Sequence, residues 1–97
     1  MSVYAIAQLT ITNREVYNRY QSKFMGVMSL SKGRVLSADE HPQVVEGTWD
    51  RQKLVLLSFP DEQSFREWES SPEYQEIAKD RKAGADAVVL LVKGFDR

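Results

Sequence analysis

Phe65 to Arg81, FREWESSPEYQEIAKDR, is the stretch on which the reading of the fold turns. A helical pattern runs to Trp68, stops at Ser70-Ser71-Pro72, and a second helix starts at once. Ser71 offers a side-chain oxygen as N-cap. Pro72, at the first helical position, gives up only an N–H that has no helical partner there, and Glu73 suits the positive end of the dipole. The second helix places Tyr74, Ile77, Ala78 and Arg81 on one face. A guanidinium on an apolar stripe is where pattern and chemistry disagree. Buried, it needs an anion; at a helix C-terminus it can instead snorkel to water and favour the dipole.

Working outward, Pro60-Asp61 closes a strand over Lys53–Phe59, with Asp61 as N-cap of the helix carrying Phe65 and Trp68. Val44 to Trp49 reads as extended and, through the turn Asp50-Arg51-Gln52, as the hairpin partner of that strand. Asp39 to Gln43 is a polar loop, and Arg34 to Ala38 a short strand before it. Tyr17, Tyr20, Phe24 and Val27 recur at helical spacing, so a helix runs to about Leu30 and ends at Gly33, which suits a left-handed cap. Thr12 and Glu15 fit a capping box at its start. Val3 to Ile11 alternates with strand period, Val3, Ala5, Ala7, Leu9 and Ile11 sharing one face. Downstream, Gly84 ends the second half-helix and Ala87–Val92 forms the last strand. The order is β-α-β-β-α-β with the second helix broken at Ser71-Pro72. Right-handed crossovers turn that order into an α+β, ferredoxin-like antiparallel sheet with its helices on one face.

A chain of 97 residues is expected to be a single domain, 1–97, with a thin core. The net charge of -1 and its interspersed acids and bases argue against nucleic acid or an anionic membrane as partner. Without cysteine there is no disulfide, thiolate metal site or cysteine nucleophile. No apolar run approaches the ~20 residues of a membrane span and no signal peptide is visible, so a cytoplasmic protein is expected.

Leu54–Phe59 and Ala87–Val92 are apolar on both faces, whereas a sheet covered on one side should alternate. The uncovered face therefore calls for a second copy of the chain, a homodimer through the sheet, or for the 39–53 segment or C-terminal tail folded across it.

Glu46 lies between Val45 and Gly47, where a bulge could re-aim it, and is the first candidate partner for Arg81. As an enzyme the protein would use Glu46 as general acid or base beside Arg81, with His41, the sole histidine, at a rim or lid. A single histidine such as His41 in a polar loop is most often a solvated residue, and with Asp39 and Glu40 it lacks a second imidazole, so neither metal nor cofactor is expected. Trp68, Tyr74, Tyr20 and Trp49 are candidate pocket walls, although for Trp68 and Tyr74 core packing is the more usual role of such aromatics. Arg34 is a rim candidate or an edge-strand guard. The two functional readings are a small-molecule pocket, catalytic in an oxygenase-like or isomerase-like manner without cofactor, and a non-catalytic dimeric ligand-binding or structural module in which Glu46–Arg81 is a structural ion pair.

The set Tyr17-x-x-Tyr20, Gly33-Arg34, Glu46-Gly47-x-Trp49, Phe59-Pro60 and Trp68-x-x-Ser71-Pro72-Glu73-Tyr74-Gln75 followed by Arg81 resembles an uncharacterised domain-of-unknown-function family of the dimeric α/β-barrel superfamily. The resemblance implies a ferredoxin-like subunit whose sheet packs on a second sheet to form a barrel between protomers. It supplies no reaction. Superfamily relatives include cofactor-independent oxygenases, haem-degrading enzymes, lactone isomerases and ligand-sensing regulators. Lys32 before Gly33 and Glu69 after Trp68 depart from the family habit.

Overall fold

The computed structural model describes residues 1–95. Its elements are β1 (Val3–Ile11), α1 (Arg14–Met28), β2 (Arg34–Asp39), β3 (Lys53–Phe59), α2 (Glu62–Glu69), α3 (Pro72–Gly84) and β4 (Ala85–Lys93). The strands form one antiparallel sheet in the order β2-β3-β1-β4, the ferredoxin-like α+β arrangement.

Register assigns the two faces. Ala5 stands opposite Leu57 and Leu91, and Ala7 opposite Val55 and Val89, so the odd-numbered residues of β1, β3 and β4 share a face. The helices cover this face, and Val3, Leu9, Leu57 and Phe59 on it are buried with Phe65, Trp68, Tyr74 and Ile77 from α2 and α3. On the other face Ile6 stands in a row with Leu56 and Leu90, and Gln8 in a row with Leu54 and Val88. Val88, Leu90 and Val92 there remain 41%, 45% and 39% exposed, an apolar strip left open by the described residues.

The helix break forms as the sequence dictates. Asp61 caps α2 by accepting from Ser64 N at 2.7 Å, and Ser71 Oγ caps α3 by accepting from Tyr74 N at 3.2 Å. At α1 the expected capping box is replaced by Asn13, whose Oδ1 accepts from Val16 N at 3.2 Å. Thr12 N is engaged elsewhere, donating with Asn13 N to the Gly84 carbonyl. Gly33 is not a left-handed cap: α1 ends at Met28 with Ser29 as right-handed cap. Its lack of a side chain matters instead because a Cβ would lie 2.4 Å from the Phe59 ring. Gly84 belongs to α3, and β4 starts directly after it.

The largest departure concerns Val44–Trp49, which is not a strand. β2 is the true neighbour of β3, and residues 40–52 form a loop in which Gly47 takes φ +90. Pro42 cannot donate to a ladder, and the positive φ at Gly47 interrupts extended backbone. The irregularity in the sheet falls in β2 instead, between Val35 and Ser37. The loop's end is pinned to the sheet's open face: Trp49 Nε1 donates to Gln8 Oε1 at 2.9 Å, and Arg51 donates to the Asp86 carbonyl at 3.2 Å.

Candidate functional site

Between the sheet and its helices lies a cavity of about 450 Å³. Its floor is low because β1 contributes Ala5 and Ala7 where the neighbouring strands contribute Leu57, Val55 and Val89. Its walls are aromatic. Tyr17, Tyr20 and Phe24 come from successive turns of α1, Phe65 and Trp68 from α2, and Tyr74 from the first turn of α3. The rings hold one another: Tyr20 meets Tyr74 edge-on at 6.5 Å, Phe24 meets Trp68 edge-on at 6.1 Å, and Trp68 lies 4.1 Å from Tyr74. Volume and lining match those of small-molecule sites, which are concave, mostly apolar and equipped with few polar groups.

Polar groups reach the cavity from two directions. The last turn of α3 brings Arg81, on the same face as Tyr74 and Ala78. Its Nε is sealed from solvent without a hydrogen-bond partner among the described residues, as is Trp68 Nε1. The start of β3 brings Lys53, buried, with its Nζ donating to Gln21 Oε1 at 2.9 Å and lying 4.8 Å over the Tyr17 ring. Glu40, just past β2, stands 3.8 Å from that Nζ and accepts a fork of bonds from Arg14 at 2.9 and 3.0 Å.

These surroundings set the titration of the site. Burial pushes the Tyr17 phenol up to about 12; Glu40 adds to the shift, while Arg14 and Arg81 oppose it. Burial carries Tyr20 well above the ordinary phenol range, helped by Tyr74 and opposed by Arg81. Lys53 is lowered by burial, with Glu40 pulling the other way. The Arg14 hydrogen bonds hold Glu40 below the ordinary carboxylate range. Tyr17 thus lies within electrostatic reach of both Arg81 and the Glu40–Arg14 pair.

Of the residues singled out from sequence, Arg81, Tyr20, Trp68 and Tyr74 come together on the cavity. Glu46 does not: it is exposed on the 40–52 loop, and no Glu46–Arg81 ion pair forms among the described residues. The pairing expectation rested on a strand at Val44–Trp49, and without that strand nothing aims the carboxylate inward. His41 is exposed, its backbone N–H donating to Asp39 Oδ1 at 2.8 Å, and Arg34 is exposed at the start of β2. Trp49 lies against the opposite face of the sheet, at Gln8. Sequence reasoning missed Tyr17, Lys53, Glu40 and Gln21 as site residues. For Lys53 a signal existed: with Val55, Leu57 and Phe59 it continues a period of two, a cation on an apolar stripe just as Arg81 is. Among the described residues no group of three or more His, Asp or Glu could hold a metal ion, and no helix is long and apolar enough to cross a membrane.

The family model of a domain of unknown function, DUF1330, matches residues 2–95. No curated protein matches the chain. Among solved structures it is similar to a protein of unknown function from Rhodopseudomonas palustris, with TM-score 0.81, 16% identity, and 99% of this chain and 84% of that one covered. It is similar to a dimeric ferredoxin-like protein of unknown function from Jannaschia sp. CCS1 (TM-score 0.73, 11% identity, 97% and 100% covered). It is also similar to SnoaB, a cofactor-independent oxygenase from Streptomyces nogalater (TM-score 0.71, 12% identity, 99% and 95% covered). At these identities the likeness is one of fold.

Proposed function

The chain belongs to the DUF1330 family, and from that premise and the chemistry of its cavity we propose that it is a homodimer that binds a small, largely aromatic molecule between sheet and helices in each protomer. The observation that carries the reading is the cavity of about 450 Å³, ringed by Tyr20, Trp68 and Tyr74 and supplied with charge by Arg81 and Lys53. Ring faces favour a flat apolar ligand, and the few polar groups fix its orientation. The strip Val88, Leu90, Val92 on the open face supports association of two protomers through their sheets, and the similar Jannaschia protein is described as dimeric.

A second reading, cofactor-independent proton abstraction or oxygenation, is favoured by the convergence of Lys53, Glu40 and Tyr17 at one wall. Titratable groups with shifted pKa values gathered in a concavity are the usual equipment of acid–base catalysis. Under this reading the acid–base work falls to that cluster, because Glu46 and His41 stand outside the cavity.

Thermal melting against a panel of bicyclic aromatic compounds tests binding. The wild type is expected to be stabilised by members of the panel, and filling the floor with Ala7→Leu to abolish the response. A filled floor with an unchanged response would overturn the location. Oxygen uptake or exchange of ligand protons with deuterated water separates an enzyme from a binding module.

A further inference from the structure

Of the cations that line the cavity, Arg81 and Lys82 make no ion pair among the described residues, and of these two Arg81 is the half-buried one while Lys82 is exposed. The acids of the cavity are already engaged: Glu40 binds Arg14 and faces Lys53, and Glu69 lies 3.6 Å from Arg66. Lys53 is served by Gln21 and Glu40. Asp80, beside Arg81 in sequence, pairs with Arg19. Arg81 makes no ion pair among the described residues, and its Nε is sealed without an acceptor. The other sealed orphan donor among the described residues is the Nε1 of Trp68, whose ring is part of the cavity wall. A half-buried guanidinium without an ion-pair partner among the described residues, beside an aromatic space, suits an acceptor-rich anion of planar shape.

Building on the binding reading above, we propose that the ligand is an aromatic carboxylate, its ring against the wall that Tyr20, Trp68 and Tyr74 form together and its carboxylate on the Arg81 guanidinium. The planar fork of an arginine matches both oxygens of a carboxylate, which a lysine cannot do. Apolar walls exclude water from the pair and strengthen it. Arg81 is thereby a specificity determinant, selecting the charged end, whereas the rings select the flat body.

The test is calorimetric titration of the wild type, Arg81→Met and Arg81→Lys with 2-naphthoate and with its neutral isostere 2-naphthamide, each variant first checked for native far-UV circular dichroism. In the wild type 2-naphthoate is expected to bind at least about tenfold tighter than the amide, the scale of one charge-assisted bidentate contact. Arg81→Met should bring the two affinities together while leaving amide binding near wild type, and Arg81→Lys should recover only part of the preference. Equal affinity of both probes for the wild type would overturn the carboxylate assignment and leave the pocket reading standing. A carboxylate preference that survives Arg81→Met and disappears in Lys53→Met would overturn the role of Arg81. Binding of neither probe would overturn the inference and the pocket reading together.

Discussion

Trp68 and Tyr74 meet across the break between α2 and α3, ring centroids 4.1 Å apart and planes tilted by 40°. Trp68 also touches Phe59 at 5.5 Å and Phe24 at 6.1 Å, so one indole joins the sheet to α1, α2 and α3. The break between α2 and α3 is what lets both residues turn onto the same ring cluster. One continuous helix would carry them on different sides of its axis, six positions apart.

Trp68→Ala should therefore cost about 3–5 kcal/mol in urea denaturation, the range for emptying a large aromatic site. Trp68→Phe should cost markedly less than that. It keeps a ring in the cluster and removes an indole N–H that has no partner among the described residues, and an orphaned donor of that kind is itself a penalty of about 1–3 kcal/mol.

The glycines of α1 and α3 should respond in opposite directions to alanine. A Cβ on Gly84 would lie 2.7 Å from Tyr17 N and 3.1 Å from the Asn13 carbonyl oxygen, both backbone atoms that cannot rotate away. Gly84→Ala should destabilise by more than the ~1 kcal/mol that helix propensity returns. Gly26, inside α1, has nothing within 4 Å of an added Cβ, and Gly26→Ala should stabilise by about 0.5–1 kcal/mol. Melting curves of the two single variants check both signs.

Alkaline stability should depend on Tyr17. Its folded-state pKa of about 12 lies above the ordinary 10.0, so its contribution is fully present below pH 10 and is lost as pH rises towards 12. A shift of that size corresponds to about 2–3 kcal/mol across the window. Lys53 works in the opposite sense: with its pKa lowered from 10.5, its burial penalty is relieved as it deprotonates, so stability from this group rises up to that pH. Urea midpoints measured from pH 9.5 to 11.5 should fall less steeply for Tyr17→Phe than for the wild type.

Leu90 stands opposite Ile6 in the middle of the uncovered face and is 45% exposed. If the proposed sheet-to-sheet homodimer is correct, Leu90→Lys should yield a monomer in sedimentation equilibrium at micromolar concentration, while Val45→Lys, on the exposed loop, should not. A wild type that is monomeric under those conditions would remove the dimer.

Where local chemistry was self-sufficient, the chain could be read without coordinates. The Ser71 and Asp61 caps, the helix break, the alternation of β1 and the strand over Lys53–Phe59 depend on neighbours a few residues away, and all of them form. Tyr20, Trp68, Tyr74 and Arg81 were recognisable for the same reason, since helical spacing alone puts Tyr74 and Arg81 on one face.

Choices between near-equal local options were settled by distant parts of the chain. Val44–Trp49 has the composition of a strand, yet β2 occupies the edge of β3 that it would need, and the segment becomes a loop that takes Glu46 and His41 away from Arg81. The Thr12 capping box does not form because Asn13 is the cap and the backbone N–H of Thr12 that Glu15 would have to reach is taken by the Gly84 carbonyl, a bond 72 positions long that no local pattern encodes. The cavity itself has no signature in any single segment, because it is the space left where the alanines of β1 lie beneath the rings of three helices. Short-range hydrogen bonding and periodicity wrote the elements into the sequence; competition for sheet edges and backbone partners, and the volume left between packed layers, exist only once the chain has closed on itself.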